Sequence, residues 1–154
     1  MTTTQMPAPL TRHDQRLSAW STFLRAHARV IRELERELQA EERLALTDYD
    51  VLIQLAQAGE RRLRMSELAD RLVLSRSGVT RLIDRLVTEG LVERTMCDTD
   101  RRGQWAALTD AGVERLRRAS PTHLRGVAEH FLDRISPDEL RQLERMLAPI
   151  ADEA

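Results

Sequence analysis

The chain contains no lysine; all 24 of its basic residues are arginine. Arginine forks pair well with phosphate and guanine, but a bias this uniform assigns no function by itself. There is a single cysteine, Cys97, so no internal disulfide is possible. No apolar run approaches the length needed to span a membrane. The opening "MTTTQMPAP" has no apolar run after it and does not read as a signal peptide. It is expected to be a flexible segment over 1–9, and the chain is expected to be cytoplasmic. There is no internal repeat, nucleophile motif, phosphate loop or zinc pair. An enzyme is therefore not expected, and neither a cofactor nor a metal is implied. Asp48 and Asp50 are close carboxylates, but they suit helix capping better than acid–base chemistry.

What is present is an ordinary globular mix, 42% hydrophobic and 32% charged over 154 residues, which predicts one domain with a real core. A net charge of −1 argues against a nonspecific polycation. Its distribution says more. Residues 1–60 carry 7 arginines and 9 acids, residues 61–102 carry 10 and 7, and residues 103–154 carry 7 and 9. The basic excess is confined to the middle.

Periodicity divides the chain into helices with a small strand pair. A long first helix is predicted from about Leu10 to Gln39, with Leu17, Trp20, Leu24, His27, Ile31, Leu34 and Leu38 in steps of three and four. Thr47 reads as the cap of a second helix carrying Tyr49, Leu52, Ile53 and Ala56, with Asp50 completing a capping-box-like pattern and Gly59 as the stop. A third helix carries Met65, Leu68, Ala69, Leu72 and Val73, with Ser66 as its candidate cap. After the link "LS" the same series recurs as Val79, Leu82, Ile83, Leu86 and Val87, capped by Ser75 and ended by Gly90. "LVERTM" and "QWAALT" read as strands joined by the turn-rich "CDTDRRG". Helix resumes at Thr109 or Asp110 and runs to about Arg134, with a kink or break expected at Pro121. "SPDE" starts the last helix, with Ser136 as cap, Pro137 at the first position and Glu139 closing a capping box. Leu140, Leu143, Leu147 and Ile150 form its apolar seam.

Helix, short turn, helix, strand, basic hairpin and strand make a winged helix-turn-helix. The fold class is mainly α with a small β-hairpin wing. The second helix of such a motif lies in the major groove, and its first residues reach the base edges. Here those are Ser75, Arg76, Ser77, Gly78, Thr80 and Arg81. Arg forks onto guanine, and Ser or Thr bonds a base or a phosphate. Gly78 costs about 1 kcal/mol of helix stability relative to Ala, and close approach of backbone to DNA is one reason to keep it. Arg85, a turn farther on, is expected at the DNA backbone, and Ser66 joins the same surface. A lone helix with this polar face would more often be merely solvated. Two matched helices followed by an arginine hairpin favour double-stranded DNA as the partner.

The stretch "MSELADRLVLSRSGVTRLIDRLVTEGLVERTMCDTDRRGQWAALTDAG" resembles the core of the MarR family of bacterial transcription regulators. That family's wing carries Asp-x-Arg shortly before Leu-Thr and Gly; here Asp100 and Arg102 match, followed by Leu108, Thr109 and Gly112. The resemblance implies an obligate homodimer joined by its first and last helices, with 10–45 and 110–154 dimerising around a DNA-binding lobe at 46–109. It implies that the wing, 97–104, inserts Arg102 into the minor groove, oriented by Asp100, with Arg101 as a phosphate or groove contact. A narrow minor groove does attract inserted arginine. Without DNA, Asp100 and Arg102 would be a turn ion pair of little energetic weight. Independently, the two terminal apolar seams offer more surface than one small lobe can cover. A two-fold dimer would read a pseudo-palindrome with half-sites about one DNA turn apart. The expected function is a ligand-responsive repressor on such an operator. The alternative is a winged helix that binds an acidic protein partner through Arg76, Arg81 and Arg102.

The family resemblance also implies a small aromatic or phenolic, anionic effector. Arg16, Trp20, His27 and His123 are the candidate residues, although a His on an apolar face is more often packed than ligating and Trp20 suits a core equally well. The spacing of His27, His123 and His130 does not resemble a zinc site. Cys97 lies near Arg94, and an arginine neighbour can lower a thiol pKa. The peroxide-sensing branch of the family places its cysteine near the start of the first helix, where this chain has none, so that mechanism is not carried over. Oxidation of Cys97 that disturbs the wing stays an alternative to the better reading, an ordinary thiol.

Overall fold

The computed structural model describes residues 11, 14–96 and 103–152. Among these residues six α-helices run in order: α1 (Arg16–Glu37), α2 (Leu46–Gln57), α3 (Met65–Leu72), α4 (Arg76–Thr88), α5 (Asp110–His130) and α6 (Pro137–Ala151). Three strands, β1 (Arg62–Arg64), β2 (Val92–Met96) and β3 (Gln104–Leu108), form an antiparallel sheet in the order β1-β3-β2. None of the described helices is long and apolar enough to cross a membrane.

The core is built where α2, α3 and α4 close over one face of the sheet. Leu52, Leu55, Leu68, Ile83 and Leu86 are fully excluded from solvent, as is Ala106 on β3. On α4 the buried residues Val79, Leu82, Ile83 and Leu86 repeat at the three- and four-residue spacing of one helix face. Val73, assigned to the seam of α3, instead leaves it. It adopts the left-handed conformation at φ 53° and is 90% exposed, because α3 ends at Leu72 and the chain must turn into α4. Val87 likewise sits at the exposed edge of the α4 seam.

Local caps set several boundaries. Ser75 Oγ accepts from Gly78 N at 3.1 Å, and Thr109 Oγ1 accepts from Gly112 N at 3.0 Å. Ser136 and Glu139 form the reciprocal box that starts α6. Gly90, at φ 73°, lets the chain leave α4 in a turn that a side chain would strain. Gly112 is required by packing: a Cβ there would lie 2.2 Å from the Leu91 carbonyl oxygen.

Several boundaries differ from the sequence expectations. The first helix ends its α-helical run at Glu37 and continues as a π turn over Leu38–Glu42, closed by Arg43 at φ 52°. Thr47 does not cap α2. Leu46 N donates instead to Glu35 Oε2 at 2.6 Å, a carboxylate eleven residues back, and Asp50 lies half-buried inside the helix. Ser66 does not cap α3 either, because Glu67 Oε2 reaches back to Arg64 N at 3.0 Å. Gly59 follows the end of α2 but needs no glycine conformation; Glu60 and Arg61 take the positive φ angles instead. The third strand, β1, was not anticipated. The long helix α5 runs unbroken through Pro121 and stops at His130, short of Arg134.

Polar links tie α5 to the α1–α2 connection. Arg115 Nη1 meets Glu42 Oε2 at 3.3 Å, Arg125 meets Glu41 at 2.6 Å, and His130 meets Glu37 at 2.7 Å. Thr122, buried, donates to Glu41 Oε2 at 3.2 Å. In contrast, α6 has no buried residue. Trp20, Met146 and Ile150 are 57%, 63% and 73% exposed.

Candidate nucleic-acid interface

Burial of one face of α4 dictates what the opposite face presents. With Val79, Leu82, Ile83 and Leu86 turned inward, the helical period turns Ser77 and Arg81 most directly outward. Both are exposed, as are Ser75, Arg76 and Thr80. Ser75 Oγ also lies 3.2 Å from Ser77 Oγ, so the cap hydroxyl is partly committed to the helix start. A Cβ on Gly78 would lie 3.1 Å from that same Ser75 Oγ, which gives the glycine a local reason independent of DNA. Thr80 Oγ1 donates to the Arg76 carbonyl at 2.9 Å, leaving its lone pairs as acceptors.

The two flanks of α4 are fastened differently. On one, Arg85 pairs with Asp48 of α2, whose side chain is only 8% exposed. Arg85, expected at the DNA backbone, anchors α4 to the core through this pair. On the other, Arg94 of β2 meets Asp84 at 2.8 Å and donates to the Thr80 carbonyl at 3.2 Å. This fixes the sheet against α4.

The outer face of the sheet carries an array that the sequence did not signal. Arg62 and Arg64 alternate to the same side of β1, and Arg64 pairs in register with Trp105. Their guanidinium carbons lie 4.8 and 5.3 Å from the indole ring centroid. Arg62 is also paired with Glu60. Only β1 pairing brings these arginines to Trp105, and three residues carry too little pattern to announce a strand. A groove of about 360 Å³ opens beside this array, where the starts of α3 and α4 meet the base of the wing. Arg64, Ser66, Arg76, Thr80 and Gln104 line it. Asp100, Arg101, Arg102 and Cys97 lie outside the described residues.

Comparison with known proteins identifies the architecture. The profile of the MarR family matches residues 44–103. AbsC, a MarR family transcriptional regulator from Streptomyces coelicolor, superposes with a TM-score of 0.84 at 36% identity, covering 95% of this chain and 97% of AbsC. The chain belongs to the MarR family of transcriptional regulators. Sco3205, a MarR regulator from the same organism solved in complex with DNA, superposes with a TM-score of 0.84 at 35% identity, covering 96% of this chain and 91% of Sco3205. The Bacillus subtilis regulator YkoM is 36% identical over 97 residues, which span 63% of this chain and 61% of YkoM.

The MarR fold does not gather the four candidate effector residues. Arg16 begins α1 and forks onto Asp14, with Nη2 to Oδ2 at 2.6 Å. Trp20, Phe23 and His27 follow one another along α1, with ring centroids 6.1 and 6.3 Å apart. His123 lies elsewhere, stacked on Tyr49 of α2 at 4.2 Å. Burial holds its ring below the ordinary histidine value, and Nδ1 has no hydrogen-bond partner among the described residues. His27 borders two cavities, neither of which touches His123. One, about 430 Å³, is almost wholly apolar and includes Phe23, Val30, Phe131, Leu143 and Leu147. The other, between α1 and α2, holds Glu35 and Asp50. Burial first, and then the Glu35 charge, raises the Asp50 carboxyl above its usual value.

Proposed function

We propose that this protein is a homodimeric, sequence-specific regulator that binds duplex DNA in the cytoplasm as a ligand-responsive repressor. Helix α4 enters the major groove, and the wing over 97–104 reaches the adjacent minor groove. The observation carrying this reading is the division of α4: a satisfied apolar face inward, and Ser77 and Arg81 outward from its first turns. Arg81 is assigned as a guanine reader and Ser77 as a base or phosphate contact. Ser75, Thr80 and Arg76 border the same surface. Arg102 would insert at the wing tip, positioned by Asp100 and flanked by Arg101. Two-fold pairing of the exposed seams of α1 and α6 would set half-sites about one DNA turn apart.

The effector reading moves to the apolar cavity beside His27. An aromatic compound would lay its ring against Phe23 and Phe131 and direct its polar end to His27. Arg16 and His123 drop out of that site.

The test is selection of binding sites from a random duplex pool. Wild type should enrich one pseudo-palindrome. Arg81→Ala should relax one base position per half-site, by about 1–3 kcal/mol of discrimination. Enrichment of nothing by a folded dimer, or of an unchanged site by Arg81→Ala, would overturn the dimer-reader assignment or the Arg81 assignment respectively.

A further inference from the structure

We propose that Glu37, Glu129 and His130 form a binding site for one divalent transition-metal ion, zinc being the best matched, where the end of α1 lies against the end of α5. The inference does not rest on the DNA-binding reading.

The sequence carries no sign of this site. Glu37 and His130 stand 93 residues apart, and the histidine spacing resembles no zinc motif. Packing of α1 on α5 brings the residues together. One ligating atom from each of Glu37, Glu129 and His130 lies within 4.8 Å of the other two. Two carboxylates and one imidazole make a thiol-free set of the kind that takes zinc, and three protein ligands leave a fourth position for water. The imidazole selects against magnesium and calcium, which take oxygen ligands.

The Glu37 carboxylate is only half satisfied. Its Oε1 lies 2.7 Å from His130 Nε2 and 3.5 Å from Arg36 Nη2. Its Oε2 is fully buried and has no hydrogen-bond partner among the described residues. A buried carboxylate oxygen without a partner is costly. A cation held by both oxygens removes that cost. Gly126, one turn before His130, makes the space for this carboxylate: a Cβ there would lie 2.8 Å from Glu37 Oε2. The same glycine admits Leu34, whose Cδ2 would lie 2.7 Å from that Cβ.

The neighbouring arginines do not complete the cluster. Arg36 is committed to Glu33 at 2.9 Å, and Arg125 to Glu41 at 2.6 Å. Arg134 Nε donates to the Glu129 backbone carbonyl at 3.1 Å, not to its carboxylate. With His130 neutral, Glu37 and Glu129 bring two negative charges, which match one divalent ion. Glu129 is exposed, so the ion has access from solvent. To ligate, Nε2 gives up the proton it shares with Glu37 Oε1. A neutral ring carries that proton on Nδ1 instead, and an imidazolium releases it to solvent. The Glu37–His130 pair then parts slightly to admit zinc at about 2.0–2.2 Å from each.

The experiment uses the full chain, stripped with a chelator and titrated with zinc sulfate in the presence of excess magnesium. One zinc per chain should bind with a Kd below about 10 µM, and melting temperature should rise with zinc concentration. Cobalt in place of zinc should show d–d absorption without thiolate-to-metal charge transfer, which excludes Cys97 as a ligand. Glu129→Gln, at an exposed position, should leave melting of the metal-free protein unchanged and weaken zinc binding by at least about tenfold, a loss that even outer-shell partners of a metal produce. Glu129→Asp, which keeps the carboxylate, should retain more affinity than Glu129→Gln. His130→Gln should weaken binding as Glu129→Gln does, and Cys97→Ser should bind as wild type does. A folded wild type that takes up no zinc, full affinity in Glu129→Gln, or a thiolate charge-transfer band with cobalt would each overturn the site.

Discussion

The lobe formed by α2, α3, α4 and the sheet differs sharply from the arms formed by α1 and α6. In the lobe, side chains converge from three helices and a sheet, and Leu52, Leu55, Leu68, Ile83 and Leu86 are wholly excluded from water. In the arms, the apolar periodicity is just as regular, yet Trp20, Ile31, Met146 and Ile150 remain exposed and no residue of α6 is fully buried. Apolar patches of this kind mark an interaction surface. The same sequence pattern therefore has two outcomes. Where neighbouring elements supply the opposing wall it becomes core; where they do not, it stays exposed. Helix α5 joins the two regions, one end fastened to the turn after α4 by the Thr109 hydroxyl on the Gly90 carbonyl and the other carrying the links to Glu41 and Glu37.

The sharpest way to test this contrast is to damage each region separately. Leu52→Ala should remove about 2–5 kcal/mol of unfolding free energy, because a fully buried side chain leaves a cavity; denaturant titration measures it. A loss near zero would mean that the lobe is not the cooperative core. Met146→Arg with Ile150→Arg should leave chain melting little changed at high concentration but convert the dimer to monomer, read by sedimentation. DNA affinity should fall by about 100-fold, as two linked half-sites become independent. Retained dimerisation would move the interface off α6.

Smaller effects probe the lobe's surface. Ser75→Ala should cost about 1 kcal/mol of stability by removing the cap of α4, with no change if Gly78 N finds another acceptor. The smallest expected effect is a pH dependence where α5 packs on α2. Burial keeps His123 below the ordinary value of 6.5, so the folded protein holds the neutral ring and the unfolded chain protonates first. The stabilisation is complete above about pH 6.5 and drains as pH falls through it. His123→Phe, which preserves the stack on Tyr49, should flatten melting temperature against pH in that range. An unchanged slope would assign the dependence to other groups.

Legibility in the sequence followed the range of each interaction. Ser75 and Ser136 were readable as caps because each partner lies three residues away. Thr47 misled because the group capping α2 is Glu35, brought near only by the turn after α1. Ser66 misled because Glu67 performs the task from the other side. The outward face of α4 was legible since one period of apolar residues defines both faces. Arg62, Arg64 and Trp105 were not, because their meeting depends on β1 pairing with a strand some forty residues away. Arg85 was seen only as a surface cation; its buried partner Asp48 is 37 residues distant.

The sequence by itself determined the helices, most of their starts, the two wing strands and the polar face of α4. Those features arise from hydrogen bonds and side-chain periods spanning a few residues. Tertiary structure decided which apolar seams became core, which arginines became anchors and which were left to face outward. Burial and ion pairing depend on what lies opposite, and what lies opposite comes from elsewhere in the chain.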